Sequence, residues 1–254
     1  MIDAKKILNL LRKKKINFLC GVPDSVLKKF SNLAENHKSI KHIVAVNEGS
    51  AISIGVGFYL STKKIPCIYF QNSGLSNAIN PLVSILHSKV YSIPALLMIG
   101  WRGSPNKKDE PQHIVKGKIT RELLRLLKIK YCILRKTSDL KRLSKIIIHA
   151  KKFSSPVACL IENGVVYGKK TKQKKLKEKY FKRAIFIEEL LKQIKPHTKI
   201  VSTTGYTSRE LMQIRNKENS KKGKDFYMVG GMGHALAVSL GVSLNSKDQV
   251  VCLD

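Results

Sequence analysis

Residues 42–80 decide the fold, and they read HIVAVNEGSAISIGVGFYLSTKKIPCIYFQNSGLSNAIN. The apolar runs at 42–46 and 65–70 have the length of β-strands, and the spacing of apolar residues at 49–61 is helical. A second helical pattern begins at 77 and continues to 87. Strands and helices that alternate in this way predict βαβ units, in which helices cross over the faces of a parallel sheet.

The same alternation continues on both sides of this stretch. Further runs of strand length lie at residues 16–20, 94–99, 129–134 and 156–161. Helical periodicity fills the intervals at residues 4–14, 25–36, 119–127 and 140–153. The predicted fold class is therefore α/β, with a doubly wound parallel sheet that carries helices on both faces.

A change of composition divides the chain. Residues 169–179 read KKTKQKKLKEK, which is typical of a solvated linker or the charged start of a helix. We therefore expect a first domain at 1–168, a Lys-rich linker at 169–180 and a second α/β domain at 181–254. The second domain's predicted elements are helix 181–194, strand 199–202, helix 207–216, strand 225–229, helix 233–244 and strand 249–253. A three-stranded parallel sheet that ends on a strand is poorly covered, so we expect this domain to be incomplete or completed by another chain.

The formal net charge is +31, from 48 Lys and Arg against 17 Asp and Glu. These charges are spread over both domains and are mostly lysine, and no nucleic-acid-binding motif is present, so we expect no nucleic-acid partner. No apolar run is long enough to span a membrane, so we expect no membrane partner either. The five cysteines lie in apolar runs without CxxC spacing, which favours buried thiols in a reducing cytoplasm.

Polar loops that contain glycine follow the predicted strands, at the edge where parallel α/β sheets bind ligands. Glu48 stands out because it lies between the run HIVAV, which we expect to be buried, and the small apolar segment GSAISIGVG. A glutamate at a helix start often only complements the helix dipole. The alternative is a desolvated carboxylate suited to acid–base chemistry. The local sequence does not choose between these two interpretations.

Residues 101–118, WRGSPNKKDEPQHIVKGK, form a long predicted connection, and such connections are usually functional or mobile. The candidate functional side chains in it are Arg102, Asp109, Glu110, Gln112 and His113. No cluster of His, Cys and Asp has the spacing of a metal site. The sequence also contains neither a GxSxG elbow nor a phosphate-binding GxxxxGK[ST] loop.

Six motifs carry a resemblance to a known family. They are GVPDS at 21–25, NEGSAISIGVGF at 47–58, QNSGLSNAINPL at 71–82, IGWRGSPNKKDEPQH at 99–113, STTGYTSRELMQIR at 202–215 and DFYMVGGMGHA at 225–235. In this order, and over essentially the whole chain, they resemble the phosphonopyruvate decarboxylases. These are thiamine diphosphate-dependent 2-oxo acid decarboxylases related to sulfopyruvate decarboxylase. The resemblance implies a pyrimidine-binding first domain and the start of a diphosphate-binding second domain.

The resemblance also implies roles for individual residues. Glu48 matches the glutamate that meets the aminopyrimidine ring of thiamine diphosphate and shares a proton with a ring nitrogen, which decides between the two interpretations above. Met232 matches the apolar side chain against which the cofactor bends. The further cofactor contacts implied are Asn72, Ser73, Gly74, Thr204, Gly205, Gly230 and Gly231.

The implied substrate is 3-phosphonopyruvate, a small anionic 2-oxo acid whose phosphonate requires cationic and hydrogen-bonding partners. The candidate residues are Asp24, Ser25, Arg102 and Gln112 for substrate binding, and His113 together with Glu48 for catalysis. Arg102 would meet an anionic group, and Asp24 would position a group or handle a proton. Asp-Ser after Pro23, where sulfopyruvate enzymes tend to have cysteine, favours the phosphonate. Sulfopyruvate or another 2-oxo acid is the alternative.

The family binds Mg²⁺ and the diphosphate through a Gly-Asp-Gly motif, and this sequence stops at Asp254, where the motif would begin. The metal ligands are therefore expected beyond residue 254, and we expect this polypeptide alone to be inactive. The active sites of the family lie between subunits, which implies a homodimer or homotetramer. The alternative is a non-catalytic subunit completed by a partner chain that carries the motif.

Overall fold

A computed structural model describes residues 1–105, 107–168, 181–217 and 225–254. These residues belong to two compact units, Met1–Lys172 and Gln173–Asp254. The predicted linker at 169–180 lies outside the described residues. The strands of the first unit are β1 (Ile2–Asp3), β2 (Phe18–Gly21), β3 (Lys41–Val44), β4 (Cys67–Gln71), β5 (Leu96–Trp101), β6 (Lys130–Leu134), β7 (Val157–Glu162) and β8 (Val166–Tyr167). Its helices are α1 (Ala4–Lys13), α2 (Lys28–Glu35), α3 (Glu48–Thr62), α4 (Leu75–Pro81), α5 (Pro111–Leu126) and α6 (Leu140–Phe153).

Strands β2 to β7 form one parallel sheet in the order β3-β2-β4-β5-β7-β6. Strand β4 shows how its two faces are filled, because successive side chains of a strand point to opposite faces. Cys67 and Tyr69 pack with α1, α2 and α6, whereas Ile68 and Phe70 pack with α3, α4 and α5. The sheet therefore carries helices on both faces, and the predicted doubly wound α/β fold is confirmed.

Helix α3 begins where the sequence changes from an apolar strand to Asn-Glu. The side chain of Asn47 accepts a hydrogen bond from the backbone N–H of Ser50 at 2.8 Å, which caps the helix. Glu48 is then the first helical residue. The strand-to-helix change thus places this carboxylate at the carboxyl edge of the sheet.

The connection after β5 is shorter than the sequence predicts. Strand β5 ends at Trp101 and helix α5 already begins at Pro111, so the expectation of one connection over 101–118 is wrong. Proline is favoured in the first helical turn because the N–H it lacks would have no partner there. The first turns of α5, PQHIVKGK, carry few apolar residues, so their helical periodicity is too weak to predict.

The apolar run at 42–46 lies at an edge of the sheet. The sequence predicts that this run is buried, but it is only partly buried. Among the described strands, β3 pairs only with β2. The side chains of Val44 and Val46 are 56% and 90% exposed. Apolar composition identifies a strand of a parallel sheet, but it does not reveal which strand is outermost.

The second unit alternates helices and strands, as the sequence predicts. Its elements are α7 (Arg183–Gln193), β9 (Lys199–Ser202), α8 (Tyr206–Lys217), β10 (Phe226–Tyr227), α9 (Ala235–Leu244) and β11 (Val250–Leu253). The strands form a parallel sheet in the order β10-β9-β11. Ile187, Ile200 and Leu211 are buried in its core.

The state of the cysteines and the apolar character of the helices can both be compared with the expectations from composition. The thiols of Cys20, Cys67, Cys132 and Cys159 are buried, as expected, and Cys252 is partly exposed. No disulfide joins them in the described structure. Among the described helices, none has the length and apolar character needed to cross a membrane.

Candidate active site

A three-residue turn at the carboxyl end of β4 connects most of the predicted site residues of the first unit. The turn Asn72–Gly74 follows the strand that lies between β2 and β5. Its three residues contact Glu48 at the start of α3, the backbone of Arg102 after β5, and helix α5. The carboxyl ends of neighbouring parallel strands meet at this edge, which is where such sheets bind ligands.

Glu48 is buried against this turn and is 5% exposed. A Cβ atom on Gly74 would lie 2.0 Å from Glu48 Oε1, so the carboxylate rests directly on the glycine backbone. Asn77 Nδ2 donates a hydrogen bond to Glu48 Oε2 at 3.0 Å. Within the described residues no donor hydrogen-bonds to Oε1. This oxygen is therefore available to accept a hydrogen bond from a ligand.

Asp24 is linked to the turn through Gln71. Gln71 Nε2 donates to Asp24 Oδ1 at 2.8 Å, and Ser73 Oγ donates to Gln71 Oε1 at 2.8 Å. The backbone N–H of Leu27 donates to Asp24 Oδ2 at 3.0 Å. Burial raises the pKa of Asp24 and outweighs these hydrogen bonds, which lower it. The neighbouring Ser25 is exposed.

Asn72 joins the turn to the loop after β5. Its Nδ2 donates to the backbone oxygen of Arg102 and to Thr120 Oγ1, both at 3.0 Å. Its Oδ1 accepts from the backbone N–H of Arg102, also at 3.0 Å. Protein atoms use both amide hydrogens, so the side chain of Asn72 has no donor left for the predicted cofactor contact.

The guanidinium of Arg102 is held by Asp109. Arg102 Nε donates to both carboxylate oxygens at 3.0 and 2.9 Å, and Nη2 donates to Oδ1. Asp109 also accepts from the backbone N–H groups of Gly103 and Glu110, at 2.7 and 2.9 Å. The hydrogen bond from Arg102 is the main reason why the pKa of Asp109 lies well below its usual range. The positive charge of Arg102 is thus neutralised within its own loop.

His113 lies in the first turn of α5 and is 9% exposed. Its Nδ1 is buried, and no residue that the structure describes offers it a hydrogen bond. Nε2 lies 3.9 Å from Glu110 Oε2, which also accepts from Gln112 Nε2 at 2.7 Å. Burial lowers the pKa of His113, and the charge of Arg102 lowers it further. The imidazole is therefore neutral near pH 7, and its Nδ1 is a buried polar atom without a hydrogen bond in the described structure.

The remaining predicted residues lie in the second unit, after strands β9 and β10. They are Thr204, Gly205, Gly230, Gly231 and Met232. Gly205 and Gly231 have φ values of +93° and +69°, a backbone conformation that favours glycine. Met232 is 55% exposed, so its side chain is not occupied by packing within the described part of its unit.

Two side chains of the first unit join this site without a predicted role. Asp109 orients Arg102, a pairing that the sequence does not predict. Lys116 Nζ donates to the backbone oxygen of Ser73 at 3.3 Å. Lys116 follows His113 by three residues, so both lie on one face of α5, a signal that becomes readable only once the helix is known to begin at Pro111.

Comparisons with known proteins show which family the chain is related to. Residues 4–122 match the family model described as thiamine pyrophosphate enzyme, N-terminal TPP binding domain. The whole chain is 31% identical, over 271 residues, to a phosphonopyruvate decarboxylase from Streptomyces hygroscopicus. A sulfopyruvate decarboxylase subunit alpha from Methanocaldococcus jannaschii is 38% identical over 129 residues, which are 51% of this chain and 74% of that protein.

A solved structure supports the fold. The thiamine diphosphate-dependent 4-hydroxybenzoylformate decarboxylase from Rhodococcus jostii RHA1 superposes with a TM-score of 0.50 at 16% identity, over 78% of this chain and 38% of that one. Fold and sequence together define a thiamine diphosphate enzyme. The chain belongs to the decarboxylase family that includes the phosphonopyruvate and sulfopyruvate decarboxylases. It spans 66% of the length of the phosphonopyruvate decarboxylases it matches.

The first unit fits the aminopyrimidine ring of the cofactor that this family uses. Glu48 Oε1 is an acceptor on a buried carboxylate, and Gly74 places no side chain beside it. A ring nitrogen that shares a proton requires an acceptor of this kind. For Mg²⁺, the described ranges hold no group of three or more His, Cys, Asp or Glu side chains that could bind a metal ion.

Proposed function

We propose that this chain belongs to an enzyme that decarboxylates 3-phosphonopyruvate to phosphonoacetaldehyde and carbon dioxide, with uptake of one proton. The observation that carries the proposal is the buried carboxylate of Glu48, which has one hydrogen-bonded oxygen and one available oxygen at the ligand edge of the sheet. The identity to a phosphonopyruvate decarboxylase along the whole chain supports the choice of substrate.

Glu48 is proposed to share a proton at Oε1 with a ring nitrogen of bound thiamine diphosphate, while Asn77 fixes Oε2. When bound, thiamine diphosphate supplies the electron sink that a 2-oxo acid needs in order to lose carbon dioxide. Gly74 keeps side chains away from the carboxylate and so allows the ring to approach it. We propose backbone contacts from Asn72, Ser73 and Gly74 on the same side of the cofactor.

His113 and Asp24 are proposed to handle the substrate. His113 is neutral near pH 7 and can accept a proton at Nδ1, which has no partner in the described structure. Asp24 is fixed by Gln71 and Leu27, so it can position a polar group or give up a proton at a defined place. Ser25 and Gln112 are proposed as further substrate contacts.

The residues of the second unit are proposed to hold the rest of the cofactor. Met232 is an exposed apolar side chain that would contact the cofactor. Thr204, Gly205, Gly230 and Gly231 are proposed as its neighbours, and Mg²⁺ as the second cofactor. We propose that the enzyme acts in the cytoplasm as a homodimer or homotetramer, or together with a partner chain.

Substitution of Glu48 by Gln in the full-length enzyme tests the proposal. Loss of a positioned acid–base group predicts a fall in kcat of roughly 10²- to 10⁴-fold for 3-phosphonopyruvate in the presence of thiamine diphosphate and Mg²⁺. Glu35→Gln, on the exposed face of α2, is the matched control and should retain activity. Near-normal turnover by the folded Glu48→Gln enzyme would exclude this mechanism.

A second candidate substrate is sulfopyruvate, and the observation that favours it is the 38% identity to a sulfopyruvate decarboxylase subunit alpha. That relative is named as one subunit, which also supports an enzyme assembled from two kinds of chain. Side-by-side assays of both substrates, with and without a candidate partner chain, distinguish these arrangements. A higher kcat/KM for sulfopyruvate would reject phosphonopyruvate as the preferred substrate.

A further inference from the structure

Lys116 contributes a positive charge to the edge of the sheet, and within the described ranges no acidic side chain pairs with it. Its Nζ donates one hydrogen bond, to the backbone oxygen of Ser73 at 3.3 Å. An ammonium group carries three N–H donors, so further donors remain. Among the residues that the structure describes, no Asp or Glu forms an ion pair with it. A half-buried cation in this position calls for an anion.

Three other cations near this edge are already paired with carboxylates. Arg102 donates to both oxygens of Asp109. Lys107 lies 3.4 Å from Glu162, and Arg135 donates to the same carboxylate at 2.9 Å. A substrate anion that binds to any of these three must compete with a carboxylate that is already in place. An anion that binds to Lys116 meets no such competition.

The position of Lys116 relative to the cofactor-binding carboxylate is also suitable. Ser73, whose oxygen it contacts, directly precedes Gly74, on which Glu48 rests. Lys116 also lies on the face of α5 that carries His113, and its charge contributes to the lowered pKa of His113. The ammonium group thus belongs to the site and is not part of the solvated lysine surface.

We propose that Lys116 binds the anionic tail of the substrate and so selects for 2-oxo acids that carry a second anionic group. This inference rests on the proposed function, in which that group is a phosphonate. Asp109 and Arg102 then act as a neutral, pre-formed pair that shapes the loop. Lys116 supplies the net positive charge that an added anion requires.

The test uses the full-length enzyme with thiamine diphosphate and Mg²⁺, and 3-phosphonopropanoate as an unreactive probe. Loss of a charge-assisted contact predicts binding that is roughly 10- to 100-fold weaker for Lys116→Gln, measured by calorimetry. Lys116→Arg retains the charge and should stay within roughly 5-fold of the wild type. The matched control is Lys118→Gln, an exposed lysine on the same helix, which should bind like the wild type.

A second readout separates a lost contact from a disturbed fold. If Lys116 faces the site, Lys116→Gln raises the pKa of His113 in an NMR titration, whereas Lys118→Gln does not. The groups that face His113 besides Lys116 are Arg102, Asp109 and Glu110, and all are unchanged in both variants. Equal affinities of the two variants for the probe, or a wild type that does not bind it, would overturn the inference.

The outcome can be separated from that of the proposed function. If the wild type decarboxylates 3-phosphonopyruvate while Lys116→Gln binds the probe normally, the function stands and the role of Lys116 fails. If the wild type does not decarboxylate 3-phosphonopyruvate but binds the probe in a Lys116-dependent way, the substrate is another anionic acid. The role of Lys116 then stands without the proposed reaction.

Discussion

The backbone of Gly74 lies directly beneath the carboxylate of Glu48. A Cβ atom at position 74 would approach Glu48 Oε1 to 2.0 Å, far inside normal contact distance. Gly74 has φ −87° and ψ −2°, a conformation open to any residue, so glycine is required here for space and not for backbone freedom. The position of the Glu48 carboxylate therefore depends on the lack of a side chain at Gly74, in the turn after β4.

Gly74→Ala should displace Glu48 and lower kcat by roughly 10²-fold, the effect of a misplacement of about 1 Å at a reacting group. Its matched control is Gly57→Ala on α3, where an added Cβ meets nothing within 4 Å. Gly57→Ala should keep full activity and raise the free energy of unfolding by about 0.4–1 kcal/mol. Steady-state assays and urea unfolding of both variants check this. Full activity in Gly74→Ala would contradict the packing argument.

Asp109→Asn should lower the free energy of unfolding by about 1–3 kcal/mol near pH 7, because the hydrogen-bonded pair with Arg102 is lost. The pKa of Asp109 is lowered in the folded state, so its contribution is present above the unfolded pKa, near 3.9, and decreases as pH falls further. The difference in unfolding free energy between wild type and Asp109→Asn should therefore decrease below roughly pH 4. Urea unfolding across pH measures it. Glu122→Gln, exposed on α5, is the control and should show no such difference.

His113 should titrate below the pKa of an ordinary histidine. Arg102→Met removes a nearby positive charge, so the pKa of His113 should rise in an NMR titration. The unfolded chain takes up a proton near pH 6.5 that the folded chain resists, so wild-type stability should fall as pH decreases below that value. His113→Gln should lose this part of the dependence. A pKa at or above 6.5 in the wild type would show that the imidazole is more solvated than the structure indicates.

Arg215 and Asp225 should be essential to the stability of the second unit. Arg215 Nε donates to Asp225 Oδ2 at 3.0 Å, and the side chain of Asp225 is fully buried. Arg215→Met leaves that carboxylate without its cation and should cost about 3–5 kcal/mol of unfolding free energy. The double variant with Asp225→Asn should recover part of this loss in the same urea unfolding measurement. A loss in the double variant equal to the sum of the losses of Arg215→Met and Asp225→Asn measured singly would show that the pair is not coupled.

The sequence predicts elements well where apolar periodicity is strong. Helix 140–153 and strand 199–202 are found with the predicted bounds. The two-residue strands β1 and β8, which pair with each other, are too short to leave a pattern and are absent from the prediction. The order of strands in the sheet depends on long-range packing, which is why the exposure of β3 could not be predicted.

The same distinction, between local pattern and long-range packing, separates the site residues that the sequence predicts from those it does not. Glu48, Asp24 and His113 are found at the carboxyl edge because loops after parallel strands meet there. The bidentate pair between Arg102 and Asp109 depends on the tertiary conformation that brings these two residues together, and their spacing in the sequence does not encode it. Lys116 could not be assigned because its helix was expected to begin later, so its face was unknown.

The side chains of the turn Asn72–Gly74 provide little chemistry of their own, yet its backbone positions several residues of the site. Backbone atoms of two consecutive residues contact the tip of Lys116 and the carboxylate of Glu48. Substitutions that move the backbone of this turn should therefore have non-additive effects on activity when they are combined. A substitution that changes only the end of the Lys116 side chain leaves the backbone of the turn in place. Substrate preference can therefore diverge among such enzymes while the cofactor geometry is retained.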